Sequence, residues 1–459
     1  MRPLARLAAA WRTQPRHVVL AVQALIVLLP LIFALLPQLE SSLTLAHRYA
    51  LDKESEWEGT NNSLESARCL RKTGLWLMYC DGSPFSAEDP GQVLLLSLWG
   101  KIVGRDPTLV DVARMNLIIN TIGLLVLTLT LLRLGMFATA VFLLVFGPLV
   151  YLGWFDTLPH WALIGAASMQ LVLPMALIGH TKRWLSPGQS VAAMAIGLLL
   201  LAFATLLRES VGSMTVIVTL CVAIWSLWYG PRDWRRVLGI VAVVAATVVA
   251  AQSSRLIVAA RNAAYAVDAA HLPPTHGMSH TLYIGLGAVE NKFGIKYEDA
   301  AGRDAAAAAV PGIVMYSTDY FRVMGELYLR KWREEPLEVM RIYLVKLWTQ
   351  ITDSILAETP PLVVVLAGAI AIQLLAGHRR WRAGDRGADT RLAINLVILA
   401  FIGLFIVQGT LATPTRLYAM PIGPFILVLI GVAIENLAAW LWRIAPATTR
   451  LALRGDCSS

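Results

Sequence analysis

GMFATAVFLLVFGPLVYLG, residues 135–153, runs for nineteen positions without a charged side chain. Coiled as an α-helix, such a run is about 28 Å long, close to the hydrocarbon thickness of a bilayer. Comparable stretches lie near 18–37, 213–229, 361–376, 391–408 and 419–442. Weaker or closely spaced ones lie near 116–133, 162–179, 190–207 and 236–253. The pattern predicts about ten transmembrane helices in an all-α polytopic membrane protein.

Composition agrees. The 459 residues are 57% hydrophobic and 15% charged, with a mean hydropathy of +0.62, whereas a soluble domain is about one quarter charged. The net charge of +9 raises nucleic acid as a partner, but most of the short basic clusters abut apolar runs. That arrangement orients helices in a membrane, and no compact basic domain remains, so nucleic-acid binding is set aside.

Those clusters fix an expected topology. With the N-terminus cytoplasmic, the inner face carries Arg2, Arg6, Arg12 and Arg16, then Lys182 and Arg183, then Arg232, Arg235 and Arg236. Arg379, Arg380, Arg382, Arg386 and Arg391 follow, and Arg443, Arg450 and Arg454 place the C-terminus inside as well. The first apolar run is longer than a signal-peptide core and lacks an Ala-x-Ala site after it, so it reads as a retained anchor. The chain then divides into five parts. Residues 1–37 are a basic cytoplasmic N-terminus and first span, and 38–115 are a first outer, periplasmic loop. Residues 116–253 hold spans two to seven, 254–360 a second outer loop, and 361–459 spans eight to ten with a cytoplasmic tail.

Acidic residues sort to the same side. Eleven lie in the first outer loop, twelve in the second, and Asp156 and Glu209 in short outer turns, which accounts for 25 of 30. Chemistry that needs carboxylates is therefore expected outside. The outer loops should be largely helical, because 93–103 and 316–356 alternate apolar and polar positions at helical spacing. Ala305–Ala309 is a strong helix-forming run.

In the first outer loop, Asp52, Glu54, Glu56 and Glu58 cluster, followed by Glu88-Asp89-Pro90-Gly91. A carboxylate at a membrane surface suits a general base acting on an acceptor hydroxyl; the bland alternative is a solvated acidic loop, with Asp89 merely capping a helix. Arg208-Glu209 and Arg416 stand on the outer face against the charge rule. They suit a lipid phosphate, which a guanidinium binds bidentately, or else Arg208 snorkels beside Glu209. Asp156 and His160 sit between interface aromatics. In the second loop, an ordered turn across 280–299 is expected to present His280, Asn291, Lys292 and Asp299. His276 and His280 have metal-ligand spacing, but Pro273, Pro274 and Gly277 disfavour a regular helix there. No metal site or cofactor is expected. Glu435, inside the last span, is a functional candidate by position or a partner for Arg443. Cys69 and Cys80 share one loop, as a disulfide or as two thiols, and no Cys-x-x-Cys accompanies them or Cys221 and Cys457.

This layout resembles the GT-C superfamily of membrane glycosyltransferases, in particular the bacterial members related to protein mannosyltransferases and lipid A aminoarabinose transferases. The residues that carry the resemblance are the acid–Pro turn at Glu88–Gly91 running into QVLLLSLWGKIVG (92–104), the RES at 208–210 and the TRLYAMP at 415–421. The resemblance implies transfer of a sugar from a polyprenyl-phosphate donor to a lipid or glycan acceptor of the cell envelope. It places the reaction at the outer face of a bacterial inner membrane, with membrane lipid around the bundle. It implies Asp89 or Glu56 as base, with Glu88 beside them, and Arg208, Arg416 and Lys292 on the donor phosphate; Asp156, His160, His280 and Asp299 are second-rank candidates. The chain departs from the family in having no unambiguous acid close after the first span. Two other classes remain open: a multi-pass transporter or lipid flippase, and a non-catalytic envelope-assembly protein. Charges concentrated outside rather than at mid-membrane, and the lack of an internal repeat, weigh against the first.

Overall fold

The computed structural model describes residues 58–85, 89–155, 163–229, 233–267, 277–352, 386–414, 418 and 420–444. These are mostly helical, and an isolated bridge between Met78 and Pro84 is the only β-pairing among the described residues. Two helices come first, α1 (Glu58–Thr73) and α2 (Pro90–Val103). The apolar runs then form α3 (Leu109–Arg133), α4 (Phe137–Phe155), α5 (Leu163–Ser168), α6 (Val172–Thr181), α7 (Pro187–Leu207), α8 (Glu209–Tyr229) and α9 (Trp234–Ala250). A second polar group follows as α10 (Ser253–Ala264), α11 (Met278–Gly285), α12 (Asp299–Ala309), α13 (Thr318–Glu334) and α14 (Pro336–Thr349). The chain closes with α15 (Arg386–Leu411) and α16 (Ile422–Ile444).

Among the described residues, five helical stretches are long and apolar enough to cross a membrane: Leu109–Arg133, Ile164–Thr181, Pro187–Leu207, Glu209–Trp228 and Thr390–Leu411. The second is α5 and α6 joined through a 3₁₀ turn at Met169–Leu171. A sixth arises if α9 and α10, bent by 53° at their junction, count as one. Phe137–Gly147 and Ile422–Leu437 are apolar but shorter. The runs expected at 18–37 and 361–376 lie outside the described residues.

One apolar core joins α3, α5 to α8, α15 and α16 through residues such as Leu127, Leu177, Ile398 and Phe425. Small side chains let the backbones approach, as in membrane bundles. A Cβ on Gly123 would collide with the backbone of Gly165, whose amide donates to Asn120 Oδ1 at 2.7 Å. Glu435 accepts the Thr139 amide at 2.9 Å. It therefore satisfies one of the donors left over in the first turn of α4, an ordinary structural use for an acid placed in an apolar helix.

Cys69 and Cys80 are joined in a disulfide across eleven positions. The bonded alternative thus applies, tying the end of α1 to the loop that leads to α2. Leu64, Leu77, Phe85, Val93 and Leu96 pack beneath it. From α10, buried Arg261 donates through Nη1 to the Leu77 and Phe85 carbonyls at 2.7 and 3.1 Å. Both ends of that loop are thereby fixed to the bundle.

The helical pattern expected over 316–356 is broken in two. Pro336 has no amide to continue α13, and it opens α14 at the first helical position, where a missing N–H costs nothing. Tyr283, Ile284, Tyr320 and Met324 form the core that α11, α12 and α13 share.

Candidate functional site

Asp89 occupies the N-cap position of α2, yet its side chain makes no bond to that helix. Its backbone is left-handed, at φ 54°, a conformation that costs a non-glycine residue of order 1 kcal/mol and persists only where surroundings impose it. Those surroundings are the junction of α7 and α8. Asp89 Oδ2 accepts from Arg208 Nη1 at 2.7 Å, and Oδ1 accepts the Glu209 amide at 3.1 Å.

Arg208 is the extended residue between the two helices, at φ −159° and ψ 110°. The Asp89 carboxylate therefore caps the start of α8 while holding the guanidinium. Both side chains are largely withdrawn from solvent, with 16% and 18% exposed, and in that setting a charge-assisted pair is strong. Close packing sustains it. A Cβ on Gly91 would lie 2.7–2.8 Å from the Leu206 carbonyl group and Cβ, so only glycine lets α2 seat against the end of α7. Glu209 does not pair with Arg208, as the snorkelling alternative required. Its carboxylate meets Arg255 Nη2 at 2.8 Å at the start of α10.

The second polar group approaches the same place. Tyr297 keeps 40% of its surface exposed. Desolvation nonetheless pushes its hydroxyl up to about 12, with Tyr418 and Asp299 adding to the rise and Arg208 opposing it. Arg208, Asp299 and Tyr418 thus each act electrostatically on Tyr297, so one residue from each of the RES and TRLYAMP motifs, Arg208 and Tyr418, stands within reach of it.

Asp299, at the head of α12, also touches His280, whose Nε2 lies 3.1 Å from its Oδ1. A carboxylate is acceptor-only, so in the neutral imidazole the proton sits on Nε2 and Nδ1 accepts the Tyr320 hydroxyl at 2.6 Å. Burial first, then Tyr316 and Asp299, push the Tyr320 hydroxyl up to about 12. His280 is fully buried on α11 rather than presented by a turn as expected. Gly302 makes room for its ring, since a Cβ there would lie 2.6 Å from Cε1. Gly277 is extended and α11 begins immediately after it, so the helix that carries His280 does not run back through Gly277, as the glycine led one to expect.

Asn291 is likewise internal to its turn. Its amide donates to the Val289 and Ile295 carbonyls, while Oδ1 accepts the Phe293 and Ile295 amides. Lys292 has an exposed side chain. Its backbone amide donates to Glu338 Oε1 at 3.0 Å, and no contact joins it to Asp89 or Arg208 among the described residues. Glu56, Glu88, Asp156, His160, His276 and Arg416 lie outside the described residues. No group of three or more metal-ligating side chains is found among the described ones.

Lys346 was not singled out by the sequence. Fully buried, it donates to three carbonyls, Gly285 at 3.0 Å, Leu411 at 3.1 Å and Ala412 at 2.8 Å. Burial pulls its amine down to about 7, while three acceptors match the three N–H bonds of an ammonium. It pins the ends of α11 and α15, which lead respectively to Tyr297 and to Tyr418. The only sequence signal is its position among the apolar residues of an amphipathic helix.

No family model and no curated protein matches the chain. Two solved structures are similar to it. One is the crystal structure of the Archaeoglobus fulgidus oligosaccharyltransferase in the apo form, 13% identical, covering 89% of this chain and 51% of that one at a TM-score of 0.47. The other is the archaeal oligosaccharyltransferase AglB from the same organism, in complex with an inhibitory peptide and a dolichol-phosphate. It is 11% identical with the same coverages and a TM-score of 0.45. This chain spans about half the length of either.

Proposed function

We propose that the protein is a membrane glycosyltransferase that moves a sugar from a polyprenyl-phosphate donor to a lipid or glycan acceptor of the cell envelope. It would act at the outer face of a bacterial inner membrane. The observation that carries this reading is the Asp89–Arg208 pair at the α7–α8 junction. It sets a carboxylate against a guanidinium at the end of two candidate membrane spans, which supports the reading.

In this reading the Arg208 guanidinium holds the donor phosphate. It has five N–H donors in a planar fork, so it is able to bind aspartate and phosphate together. As the glycosidic C–O bond to phosphate breaks, negative charge builds on the leaving oxygen, and a fixed cation stabilises it without reorganising. Asp89 takes the acceptor hydroxyl's proton as the new glycosidic bond forms. Its remaining lone pairs and its position beside the departing phosphate suit that role. Tyr297, on which Arg208 and Asp299 both act electrostatically, belongs to the same region, and Arg416, in the same motif as Tyr418, is a second phosphate ligand in this proposal.

Mass spectrometry of envelope glycolipids and polysaccharides from cells with and without the protein tests the reading. A lost sugar, with its unmodified acceptor accumulating, supports transfer and names the substrate. Unchanged glycans while the protein is expressed would favour a transporter, a flippase or an assembly protein.

A further inference from the structure

Helix α14 has two apolar faces, and only one is covered among the described residues. Val339 and Ile342 are buried with Leu286 within the second polar group, and Lys346 is buried against the end of α15. On the other side Leu337, Met340, Leu344 and Trp348 follow one another at steps of three, four and four residues, with Val345 adjoining them. Leu337 is 78% exposed, Leu344 63% and Trp348 67%, and Met340 and Val345 are open beside them. Five exposed apolar side chains along three turns form a stripe, the arrangement by which a helix lies against an apolar phase.

The surroundings say which phase. Lys346 fastens α14 to the Leu411 and Ala412 carbonyls, where the candidate span Thr390–Leu411 ends. One turn on, Gln350 packs so closely on Gly409 that a Cβ there would lie 2.7 Å from its amide. The C-terminal half of α14 therefore stands at the boundary level of that span, whose own last turns expose Val407 and Leu411. Cations accompany the stripe. Lys331 and Arg333 end α13, Lys331 facing Glu334 at 3.5 Å, and Arg341 projects from α14 with its charge met by Glu338 at 2.8 Å. A large aromatic at one end and basic residues alongside are the features of a helix seated between acyl chains and headgroups.

We infer that α14 docks through the Leu337–Trp348 stripe into the interfacial layer of the bilayer, on the side where α15 ends. The partner is lipid, met by the apolar stripe and by Trp348 at its end. This seats the second polar group on the membrane surface and stands independently of the glycosyltransferase reading.

A test uses the full-length chain in nanodiscs of phosphatidylethanolamine and phosphatidylglycerol. Cys221 and Cys457 are replaced by serine and the Cys69–Cys80 disulfide is kept. An environment-sensitive fluorophore is attached at Leu344→Cys, at Met340→Cys, or at Glu334→Cys as the aqueous control. The stripe positions should emit at shorter wavelength than the control. They should be quenched several-fold more by nitroxide lipids labelled near the headgroup, and less by aqueous iodide. Iodide quenching equal to that of the control at both stripe positions would overturn the inference. Shielding from both quenchers would overturn it too, by showing that protein covers the stripe, either a second copy or another chain. Having two stripe positions keeps the test decisive if one substitution prevents folding.

Discussion

The carboxylate of Asp89 caps a helix that begins 120 positions later, at Glu209, and in the same stroke holds Arg208 at 2.7 Å. Asp89 therefore serves two structures at once, the entry of α2 and the α7–α8 junction. Its left-handed backbone is the conformational cost of reaching between them.

Arg208→Lys keeps the positive charge but replaces a planar fork with a point charge. Losing one charge-assisted hydrogen bond should weaken donor use about ten- to a hundredfold. The effect should appear mainly in donor affinity, with protein abundance in the membrane unchanged. Donor titration of purified protein checks it, and an unaltered donor dependence would remove Arg208 from the phosphate site.

Gly91→Ala tests whether the pair depends on helix packing. The added methyl would meet the Leu206 backbone well inside van der Waals contact, so α2 must withdraw from α7 and carry Asp89 with it. Transfer should fall strongly while the apolar bundle stays inserted. Crosslinking of cysteines placed at the two helix ends should drop in parallel. Full activity in this variant would show that the junction tolerates displacement.

Glu338 gives a pH signature outside the candidate site. Hydrogen bonds from Arg341, then from the Lys292 amide, hold its carboxyl down to about 2, against an ordinary value of 4.5. A depressed folded value contributes stability that is complete above the unfolded value and is lost as pH falls through the folded one. Melting of the second polar group should therefore ease as pH drops from 4.5 towards 2. Glu338→Gln should be less stable at neutral pH and flatter across that window. Equal slopes for the two proteins would rule out this contribution.

Opening the Cys69–Cys80 disulfide should loosen the loop that delivers Asp89. A closed loop of this size stabilises by about 3 kcal/mol in the chain-entropy model. Cys69→Ser should make the 74–89 segment cleavable by added protease at lower concentration, while Cys221→Ser should leave it unchanged. Identical cleavage of the two variants would show that Arg261 and the underlying core suffice.

Most of the helical frame was legible because lipid imposes a one-dimensional rule. An uncharged run of sufficient length forms a helix whatever its neighbours, and the runs at 116–133, 190–207 and 391–408 lie within α3, α7 and α15. The segments between those runs obey no such rule. Pro336 was a visible breaker inside a helical pattern, and weighing it would have separated α13 from α14. Partners across long separations were not visible. Spacing gives no indication that Glu209 turns to Arg255 rather than Arg208, that Glu435 caps α4, or that His280 is buried. Asp89 and Arg208 were legible individually, as an acid before a Pro-Gly turn and a cation on the wrong face. Their contact was not, because it depends on how α2 crosses α7 at Gly91.

The most direct measurement compares envelope glycans by mass spectrometry in cells whose protein carries Asp89→Asn with cells carrying the unaltered chain, at matched membrane abundance. Asparagine retains the shape and an acceptor for the Glu209 amide but loses the charge. Removal of a general base should slow transfer about a hundredfold or more, so the account predicts that the unmodified acceptor and its polyprenyl-linked donor accumulate together. Unchanged glycans in that strain, with a deletion strain showing the loss, would contradict Asp89 as the base and move the chemistry elsewhere on the outer face.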